Sequence, residues 1–334
     1  MNALVTGGGG FLGLAIVRAI LARGDTVRSF SRHDHGPLRE LGVEQVLGDL
    51  ADSATVSAAV AGCDIVFHTA ALAGIWGPLV DYQRANVLGT QNVIGACRQH
   101  RVSRLVYTSS PSVVFDGEDM EGVDESVPYP FHFEAHYPMT KAAAERLVLS
   151  ANDERLASVA LRPHLIWGPG DNHLLPRLAA RAKAGQLRRI GTRLNRIDTL
   201  YIDNAAEAHL LAADRLSPGS PVAGKAYFIS QGEPVALWEM VNRLLHCASL
   251  PPVEKTIPTR LALMLAWCFE TLHKATGRPG DPRLTRFVVR ELSTSHWFNI
   301  SAARRDLGYA PTVSTDEGFR RLEAYLRGKV KEPV

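Results

Sequence analysis

Tyr137 and Lys141 stand four residues apart in the run Tyr137-Pro138-Met139-Thr140-Lys141. On a helix that spacing puts both side chains on one face. A free phenol has a pKa near 10, too high to titrate readily at neutral pH. A lysine ammonium beside it favours the phenolate and lowers that value. A phenol tuned in this way gives a proton to a carbonyl oxygen during reduction, or takes one from an alcohol during oxidation. A hydroxyl that holds the reacting oxygen would complete the set. Ser109-Ser110 supplies it at the end of an apolar run about thirty residues earlier. Ser110 is the expected partner, and Ser109 replaces it if the register is off by one.

Such chemistry moves a hydride as well as a proton, and a hydride comes from a cofactor. The N-terminal run Thr6-Gly7-Gly8-Gly9-Gly10-Phe11-Leu12-Gly13 offers the place for one. It follows the short apolar run Ala3-Leu4-Val5 and precedes an apolar helical pattern. Gly7 permits a tight turn, Gly10 lets the backbone approach a pyrophosphate, and Gly13 allows close packing of helix on strand. The helix N-terminus turns free N–H groups and a positive dipole end toward phosphate. In NAD-binding versions of this unit an acid lies about twenty residues past the glycines. Here Ser31-Arg32 occupies that place. An arginine pairs with a 2′-phosphate where an aspartate would repel it, so the sequence predicts NADP(H). Asp49-Leu50 falls where the adenine is contacted, and Ala70-Ala71 where the backbone meets pyrophosphate and ribose.

These residues need a frame that collects strand ends. Strand and helix patterns alternate through the first half, which predicts an α/β fold with a doubly wound parallel sheet, the Rossmann fold. Strands are expected at 26–31, 45–50, 64–69, 104–108 and 158–162, with helices at 53–60, 86–98 and 136–150. The second half has more Pro and Gly turns and less regular alternation. Helices are expected there at 174–184, 204–215, 237–247, 259–275, 301–307 and 315–326, with a late strand at 226–229. Residues 1–167 are expected to bind the dinucleotide, with later segments returning to that domain. Residues 168–334 are expected to form a smaller C-terminal lobe for the substrate.

The 334 residues suffice for a full-sized core, and 46% hydrophobic with 21% charged residues describes an ordinary globular protein. A net charge of +3 without a basic block gives no sign of nucleic-acid binding. Cys63, Cys97, Cys247 and Cys268 form no C-x-x-C pair and no zinc spacing, so a reducing compartment and no metal are expected. The chain opens directly on a strand and has no apolar run of about eighteen residues, so neither a signal peptide nor a membrane span is expected. The longest such run, residues 261–269, is expected to cap a pocket or touch a membrane surface.

The glycine loop, His68-Thr69-Ala70-Ala71, Asn86-Val87-Leu88-Gly89-Thr90, Tyr107-Thr108-Ser109-Ser110, the Tyr137/Lys141 pair and Leu161-Arg162-Pro163 follow one another in this order. Together with residues 201–209 they resemble the extended short-chain dehydrogenases/reductases, and most of all the 3β-hydroxysteroid dehydrogenase branch. Residues 108–113 and 161–181 and His296-Trp297 resemble a bacterial group in that branch that reduces 2-alkyl-3-oxoalkanoates for olefin biosynthesis. The resemblance implies Ser110, Tyr137 and Lys141 as the catalytic set. It also implies Phe11, Leu12, Thr108 and Pro163, with Tyr137 and Lys141 again, at the cofactor. A long-chain β-keto acid or a steroid-like molecule is the implied apolar substrate. A cytoplasmic location, a homodimer built on the helices 86–98 and 136–150, and contact with a pathway enzyme or a membrane are further implications. A regulator that binds NADP without catalysis would share the loop but would need no tuned acid. Trp76, His132, Phe133, His164, Trp167 and Trp297 are candidates to line the pocket, and His164, His173 and Arg177 to meet a carboxylate.

Overall fold

Alternation along the first strand decides how the sheet is covered. In β1 (Asn2–Thr6), Ala3 and Val5 join one apolar cluster and Leu4 the other. Successive side chains point to opposite faces, so a strand apolar throughout is a strand buried on both sides. A computed structural model of the chain describes residues 1–277 and 280–331. Its main sheet adds β2 (Thr26–Ser31), β3 (Glu44–Leu47), β4 (Ile65–His68), β5 (Arg104–Thr108), β6 (Ala157–Pro163) and β7 (Lys225–Ile229). All pairings are parallel, in the order β7-β6-β5-β4-β1-β2-β3. The order reverses between β1 and β4, and ligands of such sheets bind at the carboxyl ends beside that reversal.

Helices cover both faces. On the face of Ala3 and Val5 lie α1 (Phe11–Ala22) and, later in the chain, Ile202–Arg215; on the face of Leu4 lie α2 (Ser53–Val60), α3 (Gly89–Gln99) and α4 (His136–Ser150). Among the described residues, the remaining helices of eight residues or more are α5 (Leu174–Lys183), α6 (the same Ile202–Arg215), α7 (Leu237–Cys247), α8 (Thr259–Thr276), α9 (Arg286–Ser293) and α10 (Thr315–Lys331).

Two expected elements differ in detail. The third strand ends at Leu47 and does not reach residue 50. Gly48 makes a last bond to Ser31, and the Asp49 carboxylate then accepts the Ala51 N–H, turning the chain out of the sheet. The helix expected from residue 86 begins earlier, as a widened turn over Gln83–Leu88 that carries Asn86. Elements of two to four residues were not expected, because they are too short to show a period. Val235–Ala236, Arg196–Ile197, His296–Phe298 and Met120–Val123 form a small second sheet, and Ile166–Trp167 pairs with Leu200–Tyr201.

Candidate active site

The glycine loop is shaped by its own backbone. Gly7 has φ +72°, the left-handed region that favours glycine. A Cβ on Gly13 would lie 2.1 Å from the Gly7 carbonyl oxygen, so only glycine fits there. The close packing at Gly13 is thus against the loop itself. Gly10 precedes α1 and provides no side-chain cap, and the first turn, which includes Phe11 and Leu12, has no acid. The N–H groups of that turn therefore stay open to a phosphate. Ala70 faces Gly7, with its N–H on the Thr6 hydroxyl at 3.2 Å, and Ala71 follows it past the end of β4.

Arg32 is exposed at the end of β2, makes no hydrogen bond or ion pair among the described residues, and acts by its charge on Asp49. The neighbouring Ser31 hydroxyl donates to the His33 carbonyl at 2.7 Å. Asp34 is engaged by Arg39 and by Gln45 Nε2 at 2.8 Å, so its carboxylate is committed away from a ribose. Asp49 is bound by Arg84 at 3.1 Å. Its backbone contacts and this arginine hold its carboxyl below the usual range. Leu50 is buried against Gly89. The chemistry of these residues fits a nicotinamide dinucleotide: open N–H groups that suit a pyrophosphate and an exposed cation at the end of β2.

Ser110 and Tyr137 come together. The Tyr137 phenol lies near enough to Ser110 for that side chain to act on its titration, and Ser110 Oγ bonds Ser112 Oγ at 2.9 Å. Ser110 is held there because it caps the single turn Pro111–Val114. Ser109 is buried and faces Glu145 instead. Lys141 is buried on the same helix, with Nζ donating to the Thr108 carbonyl at 2.5 Å and lying 4.1 Å from the centre of the Tyr107 ring.

The electrostatics differ from the sequence expectation. Burial pushes the Tyr137 phenol up to about 12, and the nearby Ser110 side chain only partly offsets this. Burial also pulls Lys141 down to about 7, against the opposing effect of Glu145. Lys141 is therefore not the dominant influence on Tyr137. Desolvation outweighs a lysine whose own charge is disfavoured. Behind Lys141, Arg162 Nε and Nη2 clamp Glu145 at 3.0 and 2.6 Å, and Tyr129 donates to the same carboxylate at 2.6 Å.

A buried chain of hydrogen bonds joins the loop to the Tyr137 helix. Thr90 donates to the Asn86 carbonyl, so its oxygen accepts from His68 Nε2 at 3.0 Å. His68 Nδ1 then accepts from Thr6 Oγ1 at 2.7 Å. Asn86 Nδ2 reaches Thr140 Oγ1 at 3.0 Å, while Asn86 Oδ1 accepts the Leu72 N–H at 2.7 Å. Burial, with Lys141 adding to it, holds the His68 imidazole down at about 3, so it is neutral. The sequence displays these residues as motifs but not their roles. Two polar residues in each motif, His68 with Thr69 and Asn86 with Thr90, were the available signal.

On the substrate side, Pro163 ends β6 and His164 follows. The Glu291 carbonyl only accepts, so His296 Nε2, at 2.8 Å, carries the proton. His296 Nδ1 then accepts from His164 Nε2 at 2.7 Å. His164 Nδ1 remains an acceptor with no partner among the described residues. Burial, then the neighbouring His296, holds His164 well below its ordinary value. A ring in this state does not suit a carboxylate, which corrects one candidate. Arg177 lies 4.0 Å from Asp281, and His173 is exposed at the start of α5. Among the aromatics, Trp167 is fully buried against Tyr201 and Phe319, so it belongs to the core and not to a pocket wall. Trp297 covers Gly122, Trp76 packs on His273, Phe133 is half-buried and His132 is exposed.

Known proteins share this arrangement. The family model described as 3-beta hydroxysteroid dehydrogenase/isomerase matches residues 4–258. The chain is 52% identical to a 2-alkyl-3-oxoalkanoate reductase of Stenotrophomonas maltophilia (strain K279a), covering 97% of this chain and 99% of that one. It is 47% identical to a 2-alkyl-3-oxoalkanoate reductase of Shewanella oneidensis, covering 97% and 86%. The solved structure of MoeE5 in complex with UDP-glucose and NAD superposes with a TM-score of 0.74 over 99% of this chain and 100% of the other, at 25% identity. With the parallel sheet, the glycine loop and the Tyr137 helix in place, these likenesses make the chain a short-chain dehydrogenase/reductase, an oxidoreductase belonging to the 3-beta hydroxysteroid dehydrogenase/isomerase family.

Proposed function

We propose that this chain reduces a 2-alkyl-3-oxoalkanoate, a β-keto acid, to the 2-alkyl-3-hydroxyalkanoate with NADPH, as a step in long-chain olefin biosynthesis. The 52% identity to a reductase of that name over nearly the whole of both chains carries the substrate reading. Exposed, unpaired Arg32 beside a committed Asp34 supports NADP(H) over NAD(H). Hydride for the carbonyl carbon is what the nicotinamide supplies when bound. Tyr137 donates its phenolic proton to the carbonyl oxygen, and Ser110 holds that oxygen by hydrogen bond. Lys141 would bond the nicotinamide ribose hydroxyls when the cofactor is bound and would stabilise the phenolate left behind. Phe11, Leu12, Thr108 and Pro163, with the glycines, Ser31, Asp49, Leu50, Ala70 and Ala71, form the rest of the cofactor site.

In this reading residues 1–167 carry the nucleotide and residues 168–334 mainly the substrate. The working unit is a cytoplasmic homodimer joined through α3 and α4, in contact with other enzymes of its pathway. The family match favours a 3-hydroxysteroid or sterol carboxylate as the second substrate class. The test is a cofactor-consumption screen across β-keto acids of rising chain length, with a 3-ketosteroid alongside and both NADPH and NADH. Long-chain β-keto acids with NADPH should give the highest kcat/KM. A higher value for the steroid, or for NADH, would reverse the corresponding assignment.

A further inference from the structure

We propose that Glu291 determines the preference for an acid, donating a hydrogen bond from its own carboxyl group to the carboxylate of the substrate. The proposal deepens the β-keto acid reading and rests on it. A carboxylate that leaves water for a site needs a donor there. None of the three groups that the sequence offers for that task is a buried donor. The open nitrogen of His164 only accepts, and Arg177 and His173 are exposed.

The backbone fixes where Glu291 stands. It lies near the end of α9, whose Phe287 and Val289 are buried in the core. Its carbonyl accepts from His296 Nε2 at 2.8 Å, and His296 Nδ1 accepts from His164 Nε2 at 2.7 Å. The next carbonyl, of Leu292, accepts from Asn195 Nδ2 at 3.2 Å. Residue 291 is therefore one ring away from His164, which follows β6 at the carboxyl edge of the main sheet. The charge of Glu291 also acts on the Tyr137 phenol. The side chain is half-buried, and it makes no hydrogen bond or ion pair among the described residues. Its oxygens, unlike the unpartnered ones of Asp198 and Thr199, are not sealed from open space, and the same holds for His164 Nδ1.

The charges around α9 decide which form of Glu291 is present. On the helix itself, Arg286 is taken by Glu270 of α8 at 2.8 Å and Arg290 by Glu134 at 2.8 Å. Arg189 stands on the short strand whose Ile190 packs in one cluster with Val289. On the side of the site, Tyr137, His164 and His296 are held in their neutral forms by burial. None of these groups stabilises the ionised carboxyl, and burial alone pushes it up to about 7. Below that pH Glu291 keeps its proton. A carboxylic acid kept neutral by its surroundings is a hydrogen-bond donor. The carboxyl of a substrate, near 4 in water, arrives ionised and accepts that bond. Above about pH 7 Glu291 ionises, and two like charges then face each other. Affinity for an acid falls, while a neutral ketone meets no such repulsion.

The test compares KM for a long-chain β-keto acid with KM for its methyl ester, with NADPH, between about pH 6 and about pH 9. KM for the acid should rise at least about tenfold across that range, and KM for the ester less than about twofold. Glu291→Gln does not titrate there, so the acid's KM should become flat with pH. Glu291→Leu should raise the acid's KM at least about tenfold at the low end of the range and the ester's less than about threefold. Both variants should bind NADPH as the unaltered chain does. An acid KM that follows the ester's at every pH, or that still rises in Glu291→Gln, would overturn this proposal alone. Turnover of the ester but of no β-keto acid at any pH would overturn the substrate reading together with it.

Discussion

Two hydrogen-bonded networks flank the candidate site, and they are built differently. On the nucleotide side, Thr6, His68, Thr90, Asn86 and Thr140 form a closed chain in which both nitrogens of the imidazole have partners. On the substrate side, the chain from the Glu291 carbonyl through His296 stops at His164, whose Nδ1 is open. A closed network fixes geometry, since every buried polar group in it has been satisfied. An open one leaves a group whose partner must come from outside. The first region thus is fixed by the chain itself, and the second leaves an acceptor for a group from outside.

The largest expected effect tests what lies between the two. Tyr137→Phe should lower turnover by roughly 10²–10⁴-fold, the range for a lost general acid, while NADPH binding measured by fluorescence titration persists. Retained turnover would remove Tyr137 from the proton transfer. Asn86→Leu should come next, because it breaks the closed network and leaves the part-buried Leu72 N–H and C=O without a partner. About 2–4 kcal/mol of stability should go, read by denaturant unfolding, with NADPH affinity falling too. A neutral outcome would mean that the network is incidental. His164→Phe should be the mildest. It removes one donor to His296 and the open acceptor, so KM for the preferred substrate should rise about tenfold and NADPH affinity stay within twofold. If NADPH affinity moves more than KM, the two sides have been wrongly divided.

The same contrast decides what could be read from residues alone. The order of strands, the glycine turn and the helix bearing Tyr137 and Lys141 follow from local rules, since apolar periods and required glycines act over a few neighbours. The proximity of Ser110 to Tyr137 was legible because both lie at ends of regular elements. The chemistry of Lys141 was not. Its tie to the Thr108 carbonyl and its burial depend on the packing of α4 against β5, which spacing does not reveal. The His164–His296 bond joins residues 132 apart beside a sheet of two- to four-residue strands. No period exists in such short pieces, and the bond sets the protonation of both rings. Trp167 misled for a related reason: an aromatic at a strand end reads as a pocket wall until α10 is known to cover it.

The seventh strand has a consequence for how the chain is made. β6 keeps one edge unpaired until Lys225–Ile229 arrive to complete the sheet. Its neighbour on the other side, β5, is made long before. At roughly 5–20 residues per second a ribosome needs about 3–13 s to go from the end of β6 to the end of β7. Throughout that interval the nascent chain carries an apolar strand edge open to another chain. The part of the chain up to β6 is therefore not a free-standing unit during synthesis, and a ribosome stalled in this interval would release an aggregation-prone fragment with Ser110, Tyr137 and Lys141 already made.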